Sequence, residues 1–70
     1  MVTELFTDVG TELEARRRAY GVTMREQAAA LGIVYEVLSR IQNGRLGGVG
    51  NPSRATAERI RAEARELWPL

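Results

Sequence analysis

The chain has 70 residues, a net charge of +1, no cysteine and no histidine. At this length it forms one small domain, residues 1–70, whose core is of marginal stability alone. Without thiols or imidazoles it has no disulfides, thiolate nucleophiles or Cys/His zinc sites, so we expect no enzyme, no metal or other cofactor and no small-molecule ligand. No signal-peptide pattern and no run of about 18 apolar residues occurs, which predicts a cytoplasmic protein without membrane contact.

Apolar residues at helical spacing predict a first helix near the start of the chain. It spans Thr7 to Tyr20, with Val9 and Leu13 on its apolar side, and Phe6 extends the pattern backwards. Glycine follows immediately after Tyr20 and ends the helix.

The next two predicted helices are separated by only about three residues, as in a helix-turn-helix. Thr23 and Glu26 form a capping-box pattern at the start of the second helix, which ends before Gly32. The third helix covers about residues 34–42. The predicted helix-turn-helix therefore occupies about residues 23–43.

Small residues stand where two such helices would cross. Ala28 supplies a short side chain at the crossing, and Gly32, four residues later, suits a turn with positive φ. Leu38 and Ile41 then form the apolar side of the third helix. The "NG" pair at positions 43 and 44 predicts its C-cap and the left-handed residue beyond it.

A glycine-rich loop, "RLGGVGNPSR", separates the third helix from the last. Asn51 is the predicted N-cap of that last helix, and Pro52 its first residue, because proline is favoured there. The helix covers about residues 52–68 and stops at Pro69. Its apolar positions are Ala57, Ile60, Ala64 and Leu67.

All ten basic residues are arginine, and between Val37 and Ala57 three of them occur without any acid: Arg40, Arg45 and Arg54. Arginine suits two-pronged recognition of phosphate or guanine. A coding bias that favours arginine over lysine is the alternative reading of this composition.

The chain resembles the DNA-binding domains of phage repressors and Cro proteins from about Val9 to Ile60. The matching positions are Leu13, Arg17, "GVT" at 21–23, Ala28, Gly32, Leu38, Ile41 and Asn43. The resemblance implies a compact all-α domain of four, possibly five, helices, with the third helix in the major groove. It also implies a sequence-specific regulator of transcription that binds operator DNA at the nucleoid of a bacterial host cell.

Carried onto this sequence, the resemblance implies two groups of DNA-contacting residues. The base-contacting group is Tyr35, Glu36, Ser39 and Arg40. The backbone-contacting group is Thr23, Met24, Arg25, Val34, Arg45, Asn51 and Arg54. Glu36 and Arg40, four apart on a helix, also fit a simple surface ion pair.

The chain departs from the family pattern at several positions. Arg17 in the family usually pairs with an acid just before "NG", and Gln42 stands there instead, which predicts a charge-assisted hydrogen bond between the two. Gln27 replaces a buried aliphatic residue, Met24 a glutamine that meets a phosphate, and Val34 a serine or threonine cap.

The C-terminal residues Leu67, Trp68 and Leu70 predict a weak homodimer that double-stranded, palindromic DNA completes. Two protomers related by a dyad would read half-sites about 34–36 Å apart. The alternative is that Trp68 packs on the first helix and completes the core of a monomer.

Two other classes of protein stay open. In an excisionase-like winged helix, "GRLGGVG" would be a hairpin wing, although it lacks the alternating β-branched residues of strands. In an antitoxin-like module the helices would grip a protein partner. A steep salt dependence of binding to random duplex distinguishes the DNA-binding classes from the protein-binding one.

Overall fold

The computed structural model describes residues 2–70, with side chains from residue 8 onward. Within residues 2–70 it contains no strand and four α-helices: α1 (Val2–Tyr20), α2 (Met24–Leu31), α3 (Tyr35–Gln42) and α4 (Arg54–Leu67). The predicted all-α fold with four helices is confirmed. Over the same residues, no helix combines the length and apolar character needed to cross a membrane.

The core lies between α1 and the three later helices. α1 packs against both α3 and α4, while α2 packs mainly against α3. The predicted inward positions Ala28, Leu38 and Ile41 are all buried. The complete buried cluster consists of Val9, Leu13, Ala28, Leu31, Leu38, Ile41, Leu46, Ala57, Ile60, Ala64 and Trp68.

α1 contacts the end of α3 through a buried glycine. The helix begins at Val2, earlier than the predicted Thr7, because no glycine or proline between them stops it, and Gly10 therefore lies in its interior. A Cβ at Gly10 would lie 2.4 Å from the carbonyl oxygen of Ile41 and 2.8 Å from Cα of Gln42. The two backbones are thus in direct contact, which only glycine permits.

α4 begins later than predicted. Its N-cap is Ser53, whose hydroxyl oxygen accepts a hydrogen bond from the Thr56 N–H at 3.1 Å. The predicted cap, Asn51, and Pro52 lie outside the helix, where the Pro52 carbonyl accepts from the Gly47 N–H at 2.8 Å. Serine, nearer to the helix, supplies the capping oxygen, and the proline carbonyl closes the preceding loop.

The C-terminal residues fold back on α1. Trp68 is 8% exposed and belongs to the core, and Arg16 of α1 donates a hydrogen bond to its carbonyl oxygen. Trp68, one of the three residues that the sequence assigns to the dimer contact, is therefore not available for it, because the indole is buried within its own chain. Leu67 and Leu70 stay exposed, at 48% and 75%. Dimerisation is still a prediction, and it would depend on these two leucines.

Candidate nucleic-acid interface

The start of α2 is fixed by a capping box. The Thr23 hydroxyl accepts from the Glu26 N–H at 3.1 Å, and the Glu26 carboxylate accepts from the Thr23 N–H at 2.8 Å. That backbone hydrogen bond holds the pKa of Glu26 below its ordinary value. The predicted box is confirmed, and the Thr23 side chain is used by the helix, although the residue itself is exposed.

A left-handed glycine turns the chain from α2 into α3. Gly32 has φ 69°, and the Ile33 N–H donates to the Ala28 carbonyl at 3.0 Å, which closes the end of α2. Only residues 32–34 separate the two helices. The short connection and the buried Ala28 place α2 directly against α3, as the sequence predicted.

α3 is divided into a buried and an exposed side. Leu38 and Ile41 are fully buried on one side. The other side carries the four predicted base-contacting residues, of which only Ser39 is half-buried: Tyr35, Glu36, Ser39 and Arg40. The structure therefore brings the four together on one exposed surface of one helix.

The charged residues of this surface are not neutralised by their own chain. Among the described residues, no ion pair joins Glu36 to Arg40, so the alternative of a simple surface pair is not realised. The Ser39 hydroxyl oxygen accepts a long hydrogen bond, 3.4 Å, from the Asn43 side-chain amide. Glu36 and Arg40 thus present free hydrogen-bonding groups to solvent.

Arg25 of α2 lies over the ring of Tyr35 of α3. The central carbon of the guanidinium lies 4.8 Å from the centroid of the ring. This separation is within the range of a cation–π contact. The contact joins a predicted backbone-contacting residue to a predicted base-contacting one. We name the set of Arg25, Tyr35, Glu36, Ser39 and Arg40 the α2–α3 surface.

Two apolar members of the predicted backbone-contacting group have different surroundings. Met24 is half-buried and packs against the core, so its side chain supports α2. Val34 is 60% exposed at the N-cap of α3 and provides no side-chain cap. A valine has no hydrogen-bonding group, so any contact of Val34 with DNA is apolar or uses its backbone.

The loop between α3 and α4 is anchored at both ends. Leu46 is buried in the core, although the sequence assigned it no role, and the Gly47 N–H bond to Pro52 closes the loop. Arg45, just before Leu46, is exposed and has no ion pair within the described residues. Asn51 is half-buried beside Pro52.

Two side-chain amides, that of the fully buried Gln27 and that of the half-buried Gln42, connect the first three helices. Gln27 is fully buried, and its side-chain NH₂ donates to the Leu13 carbonyl of α1 at 3.0 Å. Its oxygen accepts from the Gln42 side-chain NH₂ of α3 at 2.7 Å. Gln27 can be fully buried because both polar atoms of its side chain have hydrogen-bond partners.

The predicted hydrogen bond between Arg17 and Gln42 is not formed. Buried Arg17 Nε and Gln42 Oε1 each lack a hydrogen-bond partner among the described residues. The Gln42 amide is directed to Gln27 instead. The side chain of Gln42 in α3 is therefore linked to Gln27 of α2 and not to Arg17 of α1.

A network of ion pairs joins α1 to α4, and the sequence analysis did not predict it. Glu12 of α1 meets Arg65 of α4 at 2.6 Å and Arg16 at 3.1 Å. Asp8 meets Arg61 at 2.8 Å. The α1–α4 ion network comprises Asp8, Glu12, Arg16, Arg54, Glu58, Arg61 and Arg65.

The network changes the pKa of one of its acids and pairs one of the predicted phosphate-contacting arginines. Hydrogen bonds from Arg65, and next from Arg16, lower the pKa of Glu12 against the opposing effect of its burial. Arg54, a predicted phosphate contact, is already paired with Glu58 at 2.7 Å. Spacings of three and four residues in α1 and α4 signal the pairs within a helix. The pairs between helices need the fold.

Comparisons of the chain with family models, with curated proteins and with solved structures found no match.

Proposed function

We propose that the chain is a sequence-specific DNA-binding protein that places α3 in the major groove and regulates transcription, in the manner of a phage repressor or Cro protein. The observation that carries this proposal is the exposed side of α3. There Glu36 and Arg40 stand free of ion pairs in the described chain, while five of the seven arginines of α1 and α4 are paired with an acid. An exposed helix with free planar donors fits the groove and the edges of base pairs.

Direct reading of bases would fall to three side chains. Arg40 can donate two hydrogen bonds to O6 and N7 of guanine, and Glu36 can accept from N4 of cytosine. Ser39 can contact either kind of base edge once its weak bond to Asn43 is released. A side chain that reads bases must have unused donors or acceptors, and these residues have them.

Contacts with phosphates would come from the flanks of α3. Arg45 is exposed and unpaired within the described residues, so it provides one such contact directly. Thr23 would donate its hydroxyl proton, since its N–H already donates to Glu26, and Asn51 would contribute its backbone N–H or its side-chain amide. Arg54 would have to share its guanidinium between Glu58 and a phosphate. In this proposal the protein acts by binding alone, without catalysis or a cofactor, at DNA in the cytoplasm of a bacterial cell.

Selection of bound sequences from a pool of random duplexes tests this function. We expect a short consensus and an affinity that falls steeply with salt, because each neutralised phosphate releases counterions. No enrichment and a salt-independent, weak interaction would contradict it and would favour the protein-binding alternative. The winged-helix alternative requires a hairpin, and residues 2–70 contain no strand.

We further propose that two protomers bind a palindromic operator through a weak contact made by Leu67 and Leu70. These are large apolar side chains exposed next to the buried Trp68. Sedimentation of the protein and of a Leu67→Ser, Leu70→Ser variant tests the contact without disturbing the core. We expect the variant to lose self-association and to bind one half-site. Identical sedimentation and two-to-one binding to DNA for both proteins would exclude a role for this contact.

A further inference from the structure

The contact between Arg25 and Tyr35 joins the first turns of the two helices that form the α2–α3 surface. Arg25 is the second residue of α2, and Tyr35 is the first residue of α3. Arg25 is exposed, and Tyr35 is 37% exposed. The stack, at 4.8 Å, is therefore at the protein surface and accessible to a ligand.

The position of Arg25 is unfavourable for α2 itself. The N-terminus of a helix carries partial positive charge, which repels a cation in the first turn. No carboxylate compensates: Glu26 accepts from the Thr23 N–H, and no ion pair of Arg25 occurs among the described residues. The stability of the helix does not explain an arginine here.

The contact with the ring leaves the N–H donors of Arg25 without a hydrogen-bond partner among the described residues. In a cation–π contact the aromatic face meets the planar cation, and the N–H donors of an arginine lie in the guanidinium plane. Two of these donors can bind one phosphate in parallel. A ring that fixes the plane also fixes the direction of that pair of hydrogen bonds, which lowers the conformational entropy lost on binding.

We propose that Tyr35 is a positioning residue that holds Arg25 for a two-pronged hydrogen bond to one DNA phosphate. This assignment rests on the proposed function and changes the role of Tyr35 within it: its ring acts through Arg25, and it does not itself read a base. Arg25 and Tyr35 then work as one unit, and the contribution of the tyrosine to affinity exists only when the arginine is present.

The stack can be detected in the free protein. The ring current of Tyr35 should shift the NMR signals of the Arg25 side-chain protons upfield of their usual positions. Tyr35→Leu should remove the shift, and Tyr35→Phe should keep it. An Arg25 side chain with ordinary shifts in the unaltered protein would overturn the assignment before any DNA is added.

A double-mutant cycle measures the coupling on the DNA duplex that the protein selects. Tyr35→Leu should weaken binding about two- to five-fold, and it should have no further effect when Arg25 is already alanine. Tyr35→Phe should bind like the unaltered protein. Arg25→Lys, which keeps the charge but loses the planar fork, should bind almost as weakly as Arg25→Ala.

The controls separate this assignment from the proposed function. Arg45→Ala should combine additively with Tyr35→Leu, because Arg45 does not touch the ring, and urea unfolding should show that every variant is folded. Equal weakening by Tyr35→Leu with and without Arg25, on a duplex that the protein does bind, overturns the positioning role alone. A protein that binds no duplex overturns the proposed function together with it.

Discussion

The α1–α4 ion network and the α2–α3 surface use the same residue, arginine, in opposite surroundings. In the network, Arg61 and Arg65 each contact an acid of α1 at 2.6 to 2.8 Å. On the α2–α3 surface, Arg25 and Arg40 have no carboxylate partner among the described residues. The first group stabilises the fold, and the second is free for a ligand. The net charge of +1 does not show this division, because seven of the nine acidic residues lie in α1 and α4.

The two regions can have separate roles only if α1 holds α3 in a fixed position. Gly10 is where the two helices are in backbone contact, and Gly10→Ala is expected to have the largest effect on stability. Its methyl group would meet backbone atoms of Ile41 and Gln42 that cannot rotate away. We expect a loss of about 3 kcal/mol in the free energy of unfolding, the upper end of the usual overpacking range.

Urea unfolding measures this loss, and Thr11→Ala is the matched control. Thr11 is the exposed neighbour of Gly10 in α1, so its replacement changes helix propensity without a clash. If Gly10→Ala is as stable as the control, α1 and α3 are not in backbone contact.

Removing one arginine from each region tests the division directly. Arg40→Ala should weaken binding by about 2 kcal/mol, within the range of 1 to 3 expected for a guanine contact, and should relax preference at one base pair. Arg61→Ala should lower stability and leave the base preference unchanged, because Arg61 is bonded to Asp8 and Glu58. If Arg61→Ala changed the base preference, or if Arg40→Ala lowered stability without weakening binding, the two regions would not have separate roles.

The side-chain amides of Gln27 and Gln42 form a second connection between the two regions. Gln27→Met, which is similar in length, leaves the part-buried Gln42 NH₂ without its acceptor and should lower stability by about 1 to 2 kcal/mol. Gln42→Met should do likewise. The double variant should lose less than the sum of the two, because no polar group is then stranded. Strict additivity in thermal or urea unfolding would show that the bond contributes nothing.

The smallest expected effect is on the stability of the protein at low pH. Because the hydrogen bonds from Arg65 and Arg16 lower the folded pKa of Glu12, its contribution to stability is complete above the ordinary carboxyl value of about 4.3. That contribution is lost as the pH falls through the lower, folded value. Glu12→Gln should lower stability near pH 7 by about 1 kcal/mol or less and weaken the dependence on acid.

Unfolding in urea near neutral pH and at about pH 3 gives the comparison. Glu36→Gln is the control, since the exposed Glu36 has no ion pair among the described residues. A pH dependence that changes equally in both variants would show that Glu12 is not stabilised by the network.

The sequence predicted those features that depend on neighbouring residues. The capping box of Thr23 and Glu26 and the left-handed Gly32 are encoded within a few positions, and both are confirmed. The exposed side of α3 follows from helical periodicity and is confirmed as well. Whether Arg40 reads a base stays a prediction.

Features that depend on contacts between distant segments were not predictable in the same way. An interior glycine in α1 gives no sign that α3 lies against Gly10. The acceptor of the Gln42 amide is decided by which helix lies nearest, so the expected link to Arg17 is absent and Gln27 takes its place. The sequence allowed Trp68 to be either buried or exposed, and it is buried because the C-terminal residues fold back on α1.

The loop after α3 offers a place to attach a spectroscopic reporter. Val49 is fully exposed at the tip of a loop whose ends are joined by the Gly47 to Pro52 hydrogen bond, so its side chain contributes no packing. Since the chain has no cysteine, Val49→Cys would introduce a single thiol for selective labelling with a dye. Its emission would record the approach of a duplex to the end of α3 while leaving every residue of the α2–α3 surface unaltered.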